Sequence, residues 1–186
     1  MTASKAGIDL HFSDKERDLL KKLARNSIEK VLLGKGEEPL ELPEVLKRKM
    51  GAFVCLKTKG DLKGCIGYIR GQMPLDQTVK QVAVEAAFHD PRFMPLSEEE
   101  WKDTDIEISV LTPMRKIEHV EEIEVGINGV YVEKGTYSGL LLPQVATENG
   151  WDRKTFLEHT CMKAGLARDA WKSKDTDIYV FSADVF

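Results

Sequence analysis

Cys65 lies between two glycines in Leu62-Lys63-Gly64-Cys65-Ile66-Gly67-Tyr68, on the return arm of a β-hairpin predicted around Lys59-Gly60-Asp61. Glycines on both sides of a thiol expose backbone and allow another molecule to approach closely. A cysteine in such a frame becomes a nucleophile when positive charge or free amides stabilise its thiolate. Gly64 and Gly67 can in addition turn backbone N–H groups toward an anion or a carbonyl oxygen. The competing interpretation is a tight strand crossing, where glycines permit packing and a small thiol fills a gap.

A second group of candidates is polar. Asp90-Pro91-Arg92-Phe93-Met94-Pro95 forms a rigid segment after a helix. Arg92 can fork onto a carboxylate or phosphate there, or pair with Asp90 and simply shape the loop. Lys63 can help Arg92 orient negative charge. His89 reads as an exposed residue at a helix end. Glu107 falls on the strand face opposite Ile106 and Ile108, beside Ser109, where it can act as acid, base or acceptor, or be solvated. Gln144 offers both a donor and an acceptor to a ligand, or a cap to the segment after it.

Other chemistries lack their spacing. The three cysteines and four histidines include no C-x₂-C or H-x₃-H pair, so no metal site is expected, and Cys55 and Cys161 read as core residues. An odd cysteine count without close pairs predicts free thiols. Gly64-x-x-Gly67 lacks the further glycine and the helix of a dinucleotide site and no P-loop is present, so these patterns leave the cofactor unknown. With a formal net charge of −4 and only short basic runs, generic nucleic-acid or anionic-membrane binding is disfavoured. No apolar stretch approaches the ~18 residues needed to cross a bilayer, and residues 1–12 lack the apolar core of a signal peptide, so a cytoplasmic location is expected.

The elements that must position these residues are legible. Ser13-Asp14-Lys15-Glu16 is a capping box opening a long helix that Gly34 can end. Residues 35–42 read as a loop, and residues 43–49 as one or two helical turns. The apolar run from Ala52 to Leu56 and the segment from Leu62 to Ile69 form the hairpin that carries Cys65. A helix from Pro74 to the Asp90-Pro91 stop places small alanines inward, and Ser97 caps a short helix with Trp101 as anchor. Residues 105–111 alternate as a strand, residues 129–134 and 138–142 form a second hairpin around Gly135, residues 151–165 form a helix, and residues 177–181 a last strand. Helices and hairpins in separate runs predict an α+β fold with a mainly antiparallel sheet.

Taken together, these segments resemble the AMMECR family. Leu62-Lys63-Gly64-Cys65-Ile66-Gly67 is similar to its Leu-Arg-Gly-Cys-Ile-Gly signature, with Lys63 in place of arginine. The likeness continues through Ala87-Phe88-His89-Asp90-Pro91-Arg92-Phe93, Glu107-Ile108-Ser109-Val110-Leu111, Gly139-Leu140-Leu141-Leu142-Pro143-Gln144-Val145-Ala146 and Lys163-Ala164-Gly165-Leu166. It covers residues 13–186 as one AMMECR-type domain, leaving residues 1–12 as a tail. The resemblance implies a larger sheet-containing lobe, a smaller lobe, and a cleft toward which the signature segments turn. Relatives that resemble fusions or neighbours of Memo-like and radical-SAM-like proteins make such proteins the implied partners. The expectation is an enzyme or enzyme component binding a small anionic or carbonyl-containing ligand near Cys65. The alternative is a non-catalytic module for one of those partners.

Overall fold

The computed structural model describes residues 7, 10–36 and 39–186. The expected tail of residues 1–12 lies largely outside the described residues. Phe12 is nevertheless buried, and the Leu10 N–H donates to the Asp184 carboxylate, so the described part of that segment is held in place. The chain forms two compact units, one of residues 11–111 with Phe186, the other of residues 112–185 with the segment before them that includes Gly7 and Leu10.

The first unit opens with helix α1, Asp14–Leu33. Ser13 and Glu16 exchange side-chain and backbone hydrogen bonds in a capping box, and Gly34 ends the helix in the left-handed region at φ 65°. The inner face of α1 buries Leu20, Leu23, Ala24 and Ile28. A 3₁₀ turn, Glu44–Lys47, seats Leu46 in the core. Strands β1 (Gly51–Thr58) and β2 (Asp61–Tyr68) then form the expected hairpin. Helix α2 (Leu75–Phe88), the short capped helix α3 (Glu98–Trp101) and strand β3 (Thr104–Leu111) follow.

The three strands pair antiparallel in the order β2-β1-β3, with β2 at the open end. One face of this sheet carries Val54, Leu56, Ile106 and Ile108, all buried. Helix α2 lies over β1 and β2. Each such aliphatic side chain contributes about 1.5–3 kcal/mol relative to exposure, so this face anchors the unit. Phe186 joins the same unit by exchanging both backbone hydrogen bonds with Ile108, and its ring sits near the cationic ends of Arg17 and Lys21 on α1.

The second unit comprises β4 (Arg115–Lys116), β5 (Asn128–Lys134), β6 (Tyr137–Leu141), α4 (Pro143–Glu148), α5 (Arg153–Lys163) and β7 (Asp177–Val185). Strand β7 pairs with both β4 and β5, and β5 pairs with β6, all antiparallel. Phe156, Leu157 and Cys161 of α5 pack with Val130, Val132, Leu141 and Val180 in one core. Burial pushes the Cys161 thiol pKa up, which suits a packing residue. The architecture is α+β with antiparallel strand pairing, as the pattern of separate helices and hairpins predicts. Among the described residues no helix is long and apolar enough to cross a membrane.

Candidate functional site

The second face of the β2-β1-β3 sheet carries the chemistry. Its strand register sets three rows side by side: Gly67, Phe53 and Ser109; then Cys65, Cys55 and Glu107; then Leu62, Lys57 and Asp105. Side chains alternate across a strand, so these residues share the face opposite Val54, Leu56 and Ile108.

At the centre of the middle row, Cys55 and Cys65 are joined by a disulfide. This corrects the expectation of three free thiols and of Cys55 as a simple core residue. The physical cause is a register shift between Leu56 and Lys57. Continuing the pairing of Thr58 with Asp61 and Lys57 with Leu62 would set Cys55 opposite Gly64. The extra residue, Lys63, moves the ladder by one place and brings Cys65 opposite Cys55 instead. Cys55 is buried, whereas Cys65 remains partly exposed.

The two Cα atoms are 4.0 Å apart, which marks the narrow, non-hydrogen-bonded type of antiparallel pair. Both backbone groups of Cys65 therefore turn away from β1, toward the open edge. Asp90 and Arg92 meet them there. The Cys65 N–H donates to Asp90 Oδ2 at 2.9 Å, and Arg92 Nη2 donates to the Cys65 carbonyl at 3.1 Å. Arg92 also grips Asp90 in a fork, Nε to Oδ1 at 2.9 Å and Nη2 to Oδ2 at 2.7 Å. The Arg92 guanidinium, followed by the Cys65 and Arg92 backbone N–H groups, holds the Asp90 carboxyl well below the usual carboxylate range, against an opposing burial effect.

This ion pair is asymmetric. The Asp90 side chain is 2% exposed and that of Arg92 is 54% exposed, so the anion is covered and the cation faces solvent. Arg92 Nη1 makes no hydrogen bond among the described residues, while the guanidinium lies 5.3 Å from the centre of the Phe93 ring. Loop shaping and an outward-facing cation, treated as alternatives above, are here properties of one residue.

The glycine frame has a packing origin, one of the two interpretations weighed from the sequence. A Cβ on Gly64 would lie 2.0 Å from the Ala86 carbonyl oxygen of α2, so only glycine lets helix and strand approach this closely. A Cβ on Gly67 would meet the Phe53 ring at 2.3 Å. Lys63 is likewise committed. Its ammonium pairs with Glu100, and the lysine side chain is 14% exposed. That contact, with the Ser97 backbone N–H, lowers the Glu100 pKa to about 2. Lys63 is thus a strut between the bulge and α3.

Glu107 stands opposite Cys55 in the register and pairs with Lys57 at 3.0 Å, both partners about one-third exposed. Ser109, one row away, is 1% exposed, and its Oγ has no hydrogen-bond partner among the described residues. Gln144 belongs to the second unit, in the first turn of α4, with a buried Oε1 that is also unpartnered among the described residues. His89 is exposed and lies 3.2 Å from Glu85 one turn earlier on α2. Among the described residues no group of three or more His, Cys, Asp or Glu side chains is arranged to hold a metal ion. The residues missed from sequence are Cys55 and Lys57; the signal for both was the hairpin register, hidden by the bulge.

These features define an α+β protein carrying a cross-strand cystine on an antiparallel sheet, with an Asp–Arg clamp on the main chain of its outer cysteine. The chain belongs to the AMMECR1 family, whose profile matches residues 21–186. It is 46% identical over 175 residues to Protein NEQ441 of Nanoarchaeum equitans, covering 90% of this chain and 97% of that one. A protein of Methanothermobacter thermautotrophicus is 45% identical over 181 residues, covering 93% of this chain and 94% of that one. The crystal structure of uncharacterized protein PH0010 from Pyrococcus horikoshii superposes with a TM-score of 0.88 at 43% identity, covering 94% of this chain and 92% of that one.

Proposed function

We propose that this protein is an enzyme or enzyme component that brings a small anionic ligand to the sulfur of Cys65, with Arg92 receiving the negative charge. The observation that carries this reading is the asymmetric ion pair. Asp90 is spent on the Cys65 and Arg92 main chain beneath the surface, while the guanidinium presents Nη1 and positive charge to solvent next to Cys65. A guanidinium so placed is geometrically matched to a carboxylate or phosphate. Glu107 and Lys57, in and beside the row of Cys55 and Cys65, supply polar contacts on the same face.

The test uses reduced protein. Alkylation of Cys65 by iodoacetate is compared with alkylation by uncharged iodoacetamide, each adduct being located by mass spectrometry. A unit charge about 5 Å away in water is worth about 0.8 kcal/mol, so Arg92→Gln should lower the iodoacetate-to-iodoacetamide ratio about fourfold. An unchanged ratio overturns the role of Arg92.

A second reading is a module that binds a Memo-like or radical-SAM-like protein. It draws on exposed Leu62 and Tyr68 of β2 and exposed Met94 in the segment of Arg92. It requires that Cys65→Ser leave partner capture unchanged and that replacing Leu62 and Met94 abolish it.

A further inference from the structure

We infer that the Cys55–Cys65 pair is a dithiol/disulfide couple that exchanges two electrons with small carboxylate-bearing thiols. This rests on the proposed function only in using Arg92 to receive the carboxylate.

Three observations support the exchange. First, the two cysteines differ in exposure: Cys55 is 7% exposed within the sheet, whereas Cys65 is partly exposed on the strand at the open end. An incoming thiolate therefore reaches Cys65 and not Cys55, and access decides which sulfur is attacked. Second, opening the bond need not move the strand. The Cys65 N–H and C=O are fixed by Asp90 and Arg92, and β1 and β2 stay paired through the residues on either side. Third, the face that carries the leaving sulfur also carries charge. Lys57, two residues along β1, places an ammonium there, restrained by Glu107, which stands opposite Cys55 on β3. The charged groups around the pair are thus Lys57 and Glu107 on the inner side and Asp90 and Arg92 at the edge.

The step balances without a further co-reactant. A substrate thiolate attacks Cys65 Sγ, the Cys55–Cys65 bond breaks, and its electron pair passes to Cys55 Sγ, which takes a proton from solvent. A second substrate thiolate then attacks the substrate-derived sulfur of the mixed disulfide. Cys65 leaves as thiolate, and a substrate disulfide is released. Two thiols are oxidised as one cystine is reduced to two cysteines. Arg92 Nη1, unoccupied beside Cys65, selects thiols that carry a carboxylate.

The experiment follows reduction of the oxidised full chain by three monothiols: anionic mercaptoacetate, neutral 2-mercaptoethanol and cationic cysteamine. Rates are normalised to the thiolate present, samples are quenched by alkylation, and adducts are located by mass spectrometry. The expected mixed disulfide sits on Cys65, never on Cys55, and accumulates in Cys55→Ser protein treated with the symmetrical disulfides of the same thiols, from which the Cys65 thiolate displaces one thiolate. Mercaptoacetate should outpace cysteamine by about sixteenfold, from roughly fourfold attraction of one charge and comparable repulsion of the other. The ratio should fall as salt is raised in the unaltered protein, persist in Arg92→Lys, and collapse in Arg92→Gln. Reduction only after denaturation, or an adduct on Cys55, overturns the couple. Equal rates for the three thiols, with the adduct on Cys65, overturn the anionic substrate class and the role of Arg92 with it.

Discussion

Replacing Asp90 by alanine tests the clamp most directly. The carboxylate accepts four hydrogen bonds: from the Cys65 N–H, from the Arg92 N–H, and from Arg92 Nε and Nη2. Arg92 is half exposed, so its guanidinium recovers water when Asp90 is lost, and those two bonds contribute little to the net change. The Cys65 N–H loses a charged acceptor at a part-buried position. A charged hydrogen bond contributes ~1.5–3 kcal/mol, and an unsatisfied buried donor costs ~1–3 kcal/mol. The two figures describe the same lost bond and give an expected loss of about 1.5–3 kcal/mol, and about 2–4 °C per kcal/mol for a chain of this size lowers Tm by roughly 3–12 °C. Urea titration monitored by tryptophan fluorescence measures the loss. Because the folded-state pKa of Asp90 lies below its unfolded value of about 3.9, its contribution is complete above that pH and is lost as pH falls further. The gap between the native chain and Asp90→Ala should therefore be constant from pH 7 to 5 and narrow toward pH 2. A loss below about 0.5 kcal/mol, the range of an ordinary surface change, would refute the clamp.

The glycines allow a graded test. Gly64→Ala should cost at least about 1–3 kcal/mol, because its Cβ would meet backbone of α2. Gly36→Ala, with nothing within 4 Å of the new Cβ, should stay within about 0.5 kcal/mol, and urea midpoints compare the two. Lys63→Met should raise the Glu100 pKa from about 2 toward the usual carboxylate range, read by carbon NMR of the carboxyl group. In the native chain the stabilisation from this contact is complete above the unfolded value of about 4.3 and is lost as pH falls through about 2; the variant should lose its share at higher pH. In the second unit, Phe156→Ala should lower stability by about 3–5 kcal/mol, since the ring is fully buried in the α5 core; a change under 1 kcal/mol by the same titration would contradict that packing.

Much of the fold was legible because its signals are local. The Ser13 and Ser97 capping boxes, the Gly34 stop, the Lys59-Gly60 turn and the alternation of residues 105–111 each act within a few residues, and each element forms close to where those residues place it. Strand β5 starts at Asn128, one residue before the expected position, and Gly126 takes a positive φ in the turn that precedes it. The site was harder to read, because its defining event is a one-residue slip. Nothing in Leu62-Lys63-Gly64 announces a bulge, and without it Cys55 meets a glycine. The glycines left two interpretations open for a related reason. Their need is set by Ala86 and Phe53, side-on neighbours that lie 22 and 14 residues away in the chain. Arg92 was legible as a fork, but not the burial of its partner, which depends on where Cys65 presents its amide.

The clamp has a consequence for behaviour at high concentration. An edge strand offers another chain a row of unmet N–H and C=O groups, on every second residue. On β2 the outward groups belong to Leu62, Cys65 and Gly67, and Asp90 with Arg92 fills the middle of these rungs as an absent strand would. Among the described residues of β2 the filled rung separates the two open ones, which blunts the edge against continuous pairing with a neighbouring molecule. Loss of Asp90 would remove that guard as well as the stability it confers, exposing a template for intermolecular strand pairing while most of the fold is still intact.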